Sequence, residues 1–190
     1  MRLVLFLFLT SAFWGGCKTE PPGRSDPQSA FARLAPCINK QDAKCIYSEL
    51  DRDSRWSVQT IYKTMVQMRT LVESTYPQER QKEAYGTFSS MSSSTSDADL
   101  FERFCLSQNC LETISQGFGA VVKTEPQTDI LVQVTTTRKA AFAMSLADGQ
   151  WGLSIYQKQL QDAKIRLLDR HEQVKKNAAA FRETRAAIEK

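Results

Sequence analysis

The side chains with the greatest chemical reach are scarce in this chain: one histidine and five cysteines. The cysteines fall into three groups, Cys17 alone, Cys37 with Cys45, and Cys105 with Cys110. Zinc knuckles set two thiolates two residues apart. Neither pair has that spacing, and the only imidazole, His171, is distant in sequence. No metal, haem or other cofactor is expected. Structural disulfides are, among Cys37, Cys45, Cys105 and Cys110. Three connectivities are possible, and the two local bridges are the expected ones. Five residues of continuous helix rise ~7.5 Å, beyond the Cα separations of ~4.4–6.8 Å that a disulfide tolerates. A Cys105–Cys110 bridge therefore requires a helix break at Ser107-Gln108-Asn109.

The most polar stretch is Asp51-Arg52-Asp53-Ser54-Arg55-Trp56. This stretch could present Asp51, Asp53 and Arg55 to a pocket, with Trp56 as its wall. The same residues could instead serve structure, and this is the expected reading. Asp53 or Ser54 would cap the following helix, the arginines would pair with nearby carboxylates, and Trp56 would pack in the core. His171 stands among Asp169, Arg170 and Glu172, which predicts a surface residue. No G-x-S-x-G elbow, Walker loop or H-E-x-x-H pair occurs, so no catalytic residue is assigned.

Composition sets the wider frame. Of 190 residues, 42% are apolar and 24% charged, which describes a folding chain. A net charge of +4 without a dense Lys/Arg cluster excludes a nucleic-acid role. No internal apolar run reaches the ~18 residues of a membrane span. Near the start, Arg2 precedes Leu3–Trp14, apolar except for Thr10 and Ser11, as in a secretory signal peptide covering 1–16. Trp14-Gly15-Gly16-Cys17 resembles the lipobox of bacterial lipoproteins, with Trp14 where that family has Leu, Val or Ile. The resemblance implies cleavage before Cys17, diacylation of its sulfur and acylation of its new amino group. It also implies a bacterial cell envelope. Lys18, where an Asp would mark inner-membrane retention, implies the outer membrane, facing the periplasm. The membrane would then be a partner through the anchor, at ~0.8 kcal/mol per buried CH₂. Without Cys17 four cysteines remain, an even set suited to an oxidising compartment.

Residues 17–28 read as the lipidated Cys and a flexible tether. Lys18–Gln28 holds three prolines and no large apolar residue to offset ordering entropy. Residues 29–190 read as one domain. Asp26-Pro27 predicts a helix start, with Phe31, Leu34 and Ile38 on one face and a break near Pro36. Asp42 predicts a second helix carrying Ile46, Tyr47 and Leu50. Val58, Ile61, Met65, Met68 and Val72 stripe a third, from about Ser57 to Thr75, stopped by Tyr76-Pro77. Gln78–Tyr85 reads as a short helix closed at Gly86, and Ser-rich Thr87–Ser96 as a mobile surface loop. Ser96-x-x-Asp99 predicts a capping box before Leu100, Phe101 and Phe104. A further turn of helix over Cys110–Ser115 ends near Gly117.

The period then shifts from 3.6 to 2. Strands are expected at Gly119–Thr124 and Ile130–Thr136, joined by a turn at Glu125–Thr128. Two more alternate through Ala140–Leu146 and Trp151–Ile155, with Asp148-Gly149 as a hairpin turn. From about 157 the chain reads as a single helix. Leu160, Leu167, Val174, Phe181 and Ile188 recur every seven residues, with Lys164, His171, Ala178 and Arg185 four further on. That narrow stripe predicts a helix lying on the protein's own sheet; the alternative is a docking helix for an envelope protein partner.

The whole is an α+β chain, with N-terminal helices packed on a four-stranded antiparallel meander and a long C-terminal helix. The order loosely resembles the cystatin-like cone of nuclear-transport-factor-like domains, which implies helices closing over a curved sheet around a pocket. Residues 42–77 resemble stretches of uncharacterised bacterial lipoproteins, which implies no activity. Two functions follow. One is a membrane-anchored, non-enzymatic binding or assembly module; the alternative is a cone-fold small-molecule binder or enzyme with a pocket near Asp51–Trp56.

Overall fold

The computed structural model describes residues 23–188; the leader, Cys17 and residues 18–22 lie outside the described residues. Four of the helices start on a local side-chain hydrogen bond. Asp26 accepts the Ser29 N–H at 2.9 Å ahead of α1 (Pro27–Ala32). Pro36 has no N–H for the Ala32 carbonyl, and the chain breaks at Arg33 before α2 (Leu34–Asn39). Asp42 caps α3 (Ala43–Glu49) at the Cys45 N–H, 3.0 Å. Asp51 caps α4 (Arg52–Thr75), taking the Ser54 N–H at 2.9 Å and the Ser54 hydroxyl at 2.6 Å. The cap is thus neither Asp53 nor Ser54, and α4 starts before the expected Ser57. Asp51–Trp56 is its cap and first turns.

α5 (Gln78–Tyr85) closes on Gly86 at φ 55°. The expected loop at Thr87–Ser96 has local structure instead: a 3-10 turn over Gly86–Met91 buries Phe88 and Met91, and Ser94 is buried after it. Arg69 and Arg103 add bonds to the Ser94 and Ser90 carbonyls, at 2.8 and 3.2 Å. Ser96 caps α6 (Asp97–Ser107) at the Asp99 N–H, 3.1 Å, while Asp99 accepts the Thr95 N–H, 2.8 Å, one residue upstream of the Ser96 N–H that a full box would use. Asn109, at φ 52°, separates α6 from α7 (Cys110–Gly117).

Strands β1 (Val121–Thr128), β2 (Leu131–Thr136), β3 (Ala141–Ala147) and β4 (Gln150–Leu153) form an antiparallel meander in that order. The expected turn at Glu125–Thr128 is strand instead, because Pro126 lies on the edge strand, where its missing N–H breaks no outer ladder. Asp148 and Gly149, at φ 53° and 73°, make the predicted hairpin. The far edge is closed by the chain itself: Trp151 donates to the Arg24 carbonyl at 2.9 Å, and Asp51 to Leu153 at 3.0 Å. Gly152 permits this approach, since a Cβ there would meet the Asp51 backbone at 2.6 Å. Arg24 also bonds the Ser48 carbonyl and Glu49. Residues 24–28, expected in the tether, therefore belong to the fold. Val134, Phe142, Met144 and Leu153 fill the covered sheet face, with the Phe31 ring of α1 5.0 Å from Phe142.

α8 (Gln157–Ile188) lies along α4, not on the sheet as expected. The stripe of Val58, Ile61, Met65, Met68 and Val72 is buried along α4. Ser57 faces Gln161, while Tyr76 faces Val174 and Phe181, so the two helices run in the same direction. Leu160, Leu167, Val174 and Ala178 are buried, and so is His171, against the expected surface position.

Cys37 and Cys45 form the expected disulfide, with Cα atoms 5.2 Å apart. The expected Cys105–Cys110 bridge is not formed. The helix breaks where it must, yet both residues are buried free thiols.

Candidate functional site

The first turns of α4 divide the four candidate pocket residues between two faces. Asp51 is buried and its carboxylate is committed to the cap; burial raises its pKa despite the bonds from Ser54. Arg55 and Asp51 line a cleft of about 50 Å³ against Arg24, Trp151 and Gly152, with room for a water or two. Asp53 and Trp56 point the other way. Trp56 is 58% exposed, so it neither packs in the core nor walls a cavity with Asp51. Arg52 pairs with Asp148 at 3.0 Å across the hairpin turn.

On that second face an open groove of about 530 Å³ runs between α4 and α8. α4 contributes Asp53, Trp56 and Ser57; α8 contributes Gln157, Lys158, Gln161 and Lys164. Ser57 donates weakly to the Gln161 amide oxygen at 3.5 Å. Leu160 and Leu167 anchor α8 inward, so Lys164, between them on the same side, must face α4. Its Nζ stands 4.2 Å from the centroid of the Trp56 ring, and the residue is only 8% exposed. No carboxylate among the described residues pairs with it. The cation–π contact is its compensation.

The four α8 residues escaped the sequence reading, although one signal was present. Lys164 and His171 occupy inward positions of the seven-residue stripe, where an apolar residue is the rule. A polar residue in such a place asks what it faces.

Other polar groups are arranged for structure. Glu49 is buried; burial opposes its ionisation, but Arg33 and Arg24 outweigh that and hold its carboxyl below the ordinary range. The Tyr47 hydroxyl, buried and donating to Asp97 at 2.9 Å, is pushed up to about 12. His171 is shifted down by burial and then by Lys175. The Cys105 thiol donates to Cys110 and is buried, which pushes it far above the ordinary range. A larger surface groove, about 820 Å³, runs past Arg69, Glu73 and Lys82, but Arg69 is tied to the Ser94 carbonyl at 2.8 Å. Among the described residues no cluster of three metal-ligating side chains occurs, and no helix is long and apolar enough to cross a membrane.

Comparison of the chain with protein-family models, with curated proteins and with solved structures finds no match.

Proposed function

We propose that the chain is a lipid-anchored protein of the bacterial cell envelope, a non-enzymatic binding module on the periplasmic face of the outer membrane. Support for the anchor is the order of residues 1–17: a basic start, an apolar stretch, then two glycines and a cysteine. The observation that carries the binding role is Trp56, an indole 58% exposed in a groove with a buried ammonium on its ring. The neighbouring groups favour recognition over catalysis. Asp53 sits 3.6 Å from Arg52, and Ser57 donates to an amide, not to a base.

Fractionation of cells that express the chain tests the anchor. Wild type is expected in the membrane fraction and labelled by radioactive palmitate. Cys17→Ser is expected to lose both the label and the membrane. A soluble, unlabelled wild type would overturn the assignment.

A protein partner at the end of α8 is the second element of the proposal. The last turns are exposed, and Ile188 keeps 80% of its surface open. Envelope crosslinking is expected to recover a protein that Ile188→Lys no longer captures; retention of it would remove this role. Phe181 is unsuited to the experiment, because its ring packs edge-on against Tyr76 at 4.8 Å.

A further inference from the structure

The groove between α4 and α8 holds half of an ion pair, and its remaining groups restrict what can supply the other half. This inference rests on reading that groove as the binding site. Lys164 is more than nine-tenths buried, its ammonium lies on the Trp56 ring, and no carboxylate among the described residues answers it. An ammonium drawn out of water gains most from an opposite charge brought to it.

The surrounding field has the same sign. α4 and α8 run in the same direction, so their N-termini lie side by side at this end of the pair. Both helix dipoles present their positive ends to an anion there. Lys158 adds a second ammonium to the lining. Asp53 stands against this trend, but its carboxylate is 3.6 Å from the Arg52 guanidinium.

Three further groups specify the rest of the ligand. Trp56 carries Lys164 and still leaves 58% of its surface open, a flat apolar platform. Gln157 and Gln161 offer amide donors and acceptors, and Ser57 a hydroxyl. One type of small molecule presents all the complements together. A pyranose ring has an apolar C–H face for indole and hydroxyls that both donate and accept. A carboxylate on that ring supplies the charge. We propose that the groove binds an acidic pyranoside, its carboxylate on Lys164 and its C–H face on Trp56. The volume, about 530 Å³, falls within the range of small-molecule sites. A neutral sugar leaves the ammonium unanswered, and an aromatic acid leaves the amides unanswered; both should bind less well.

The test is a nitrogen-15 NMR titration of the full chain in detergent micelles, following the Trp56 indole and Gln161 backbone N–H signals. The probes are galacturonate, trigalacturonate, galactose and benzoate. Galacturonate is expected to saturate at concentrations about tenfold or more below galactose and benzoate, a difference of ~1.4 kcal/mol. Lys164→Met is expected to erase the preference for galacturonate over galactose, with unchanged Trp151 signals reporting an intact fold. Trp56→Ala, at an exposed position, is expected to weaken both sugars about tenfold. Tighter binding of trigalacturonate would point to a polysaccharide source and equal binding to a free sugar; both support the class.

Equal response to galacturonate and galactose overturns the proposal, as does a Lys164→Met protein that keeps the preference. Benzoate matching galacturonate also overturns the sugar, while leaving the groove a binding site. Silence with all four probes overturns it too, and the outcome of the Cys17→Ser fractionation stands apart from that result.

Discussion

Two turns of the helical layer each place a cysteine on either side, and they reach different chemical states. In the first, Gln41 at φ 54° turns the chain between α2 and α3, and Cys37 and Cys45 are bonded. In the second, Asn109 at φ 52° turns it between α6 and α7, and Cys105 and Cys110 remain thiols. A left-handed residue does the approximating in both. The surroundings differ. Cys45 is only half-buried, whereas Cys105 and Cys110 are both buried in the core beside Tyr156. A covalent clip therefore holds the first turn, and packing holds the second, where a buried thiol is protected from oxidants.

Phe104 gives the sharpest way to break this contrast. It is buried in the turn before Asn109, its ring 6.1 Å from Phe101 and 6.3 Å from Tyr156. Phe104→Ala should cost about 3–4 kcal/mol, read from urea unfolding at equilibrium. A loss below about 1 kcal/mol would mean that packing does not hold the second turn.

Opening the first turn comes next in size. Cys37→Ser with Cys45→Ser should cost about 2–3 kcal/mol by the entropy of so short a loop. Thiol counting in a Cys17→Ser background checks the premise. Denaturant alone should expose the two thiols of Cys105 and Cys110, and reductant should add those of Cys37 and Cys45. Without denaturant, alkylation should be slow. If denaturant alone exposes none, the second turn is bridged as well, and the contrast disappears.

What could be read in advance follows the range of the forces. Asp26-Pro27, Asp42 and Asp148-Gly149 were legible, because each acts on a backbone within about three residues. The helix break between Cys105 and Cys110 was legible for the same reason. The bed of α8 was not. A stripe shows that one face is buried without showing whether helix or sheet buries it. Trp56 was expected in the core, and its exposure escaped because that depends on the neighbour that does not cover it. Phe88 and Met91 escaped because the serines around them set the composition. Of the four residues singled out in the polar stretch, Asp51 and Arg55 face away from the groove proposed as the site, and Asp53 and Trp56 line it. Their partners come from α8, roughly a hundred residues away.

Glu49 provides a smaller test within the first turn's own helix. It sits at the end of α3, bonded to Arg24 at 2.7 Å and Arg33 at 2.9 Å. Its folded pKa lies below the ordinary 4.5, so its contribution is complete above that value and is lost as pH falls through the folded pKa. Glu49→Gln should therefore cost about 2 kcal/mol at pH 7, and the gap to wild type should narrow as the medium is acidified below about pH 4.5. No such narrowing would mean that the arginines do not hold the carboxylate charged.

The smallest effects should differ in sign, and that difference isolates the two turning residues themselves. A β-unbranched side chain such as Gln still suffers the left-handed clash of ~1–2 kcal/mol, since its Cβ crowds the next carbonyl. Glycine removes that clash but gains freedom in the unfolded chain, an opposing term of ~0.5–1 kcal/mol. For Gln41 the first term exceeds the second, and Gln41→Gly should stabilise by about 0.5 kcal/mol. Asn tolerates the left-handed region through its short polar side chain, so Asn109 begins with less strain to relieve. It also donates to Glu112 in the first turn of α7, a bond that glycine deletes. Asn109→Gly should accordingly destabilise by about 0.5 kcal/mol. Paired thermal melts resolve shifts of this size, since ~1 kcal/mol moves the midpoint by ~2–4 °C in a domain of this length. Shifts of the same sign at both positions would mean that the two turns are held alike, and that the bond in one is incidental to its geometry.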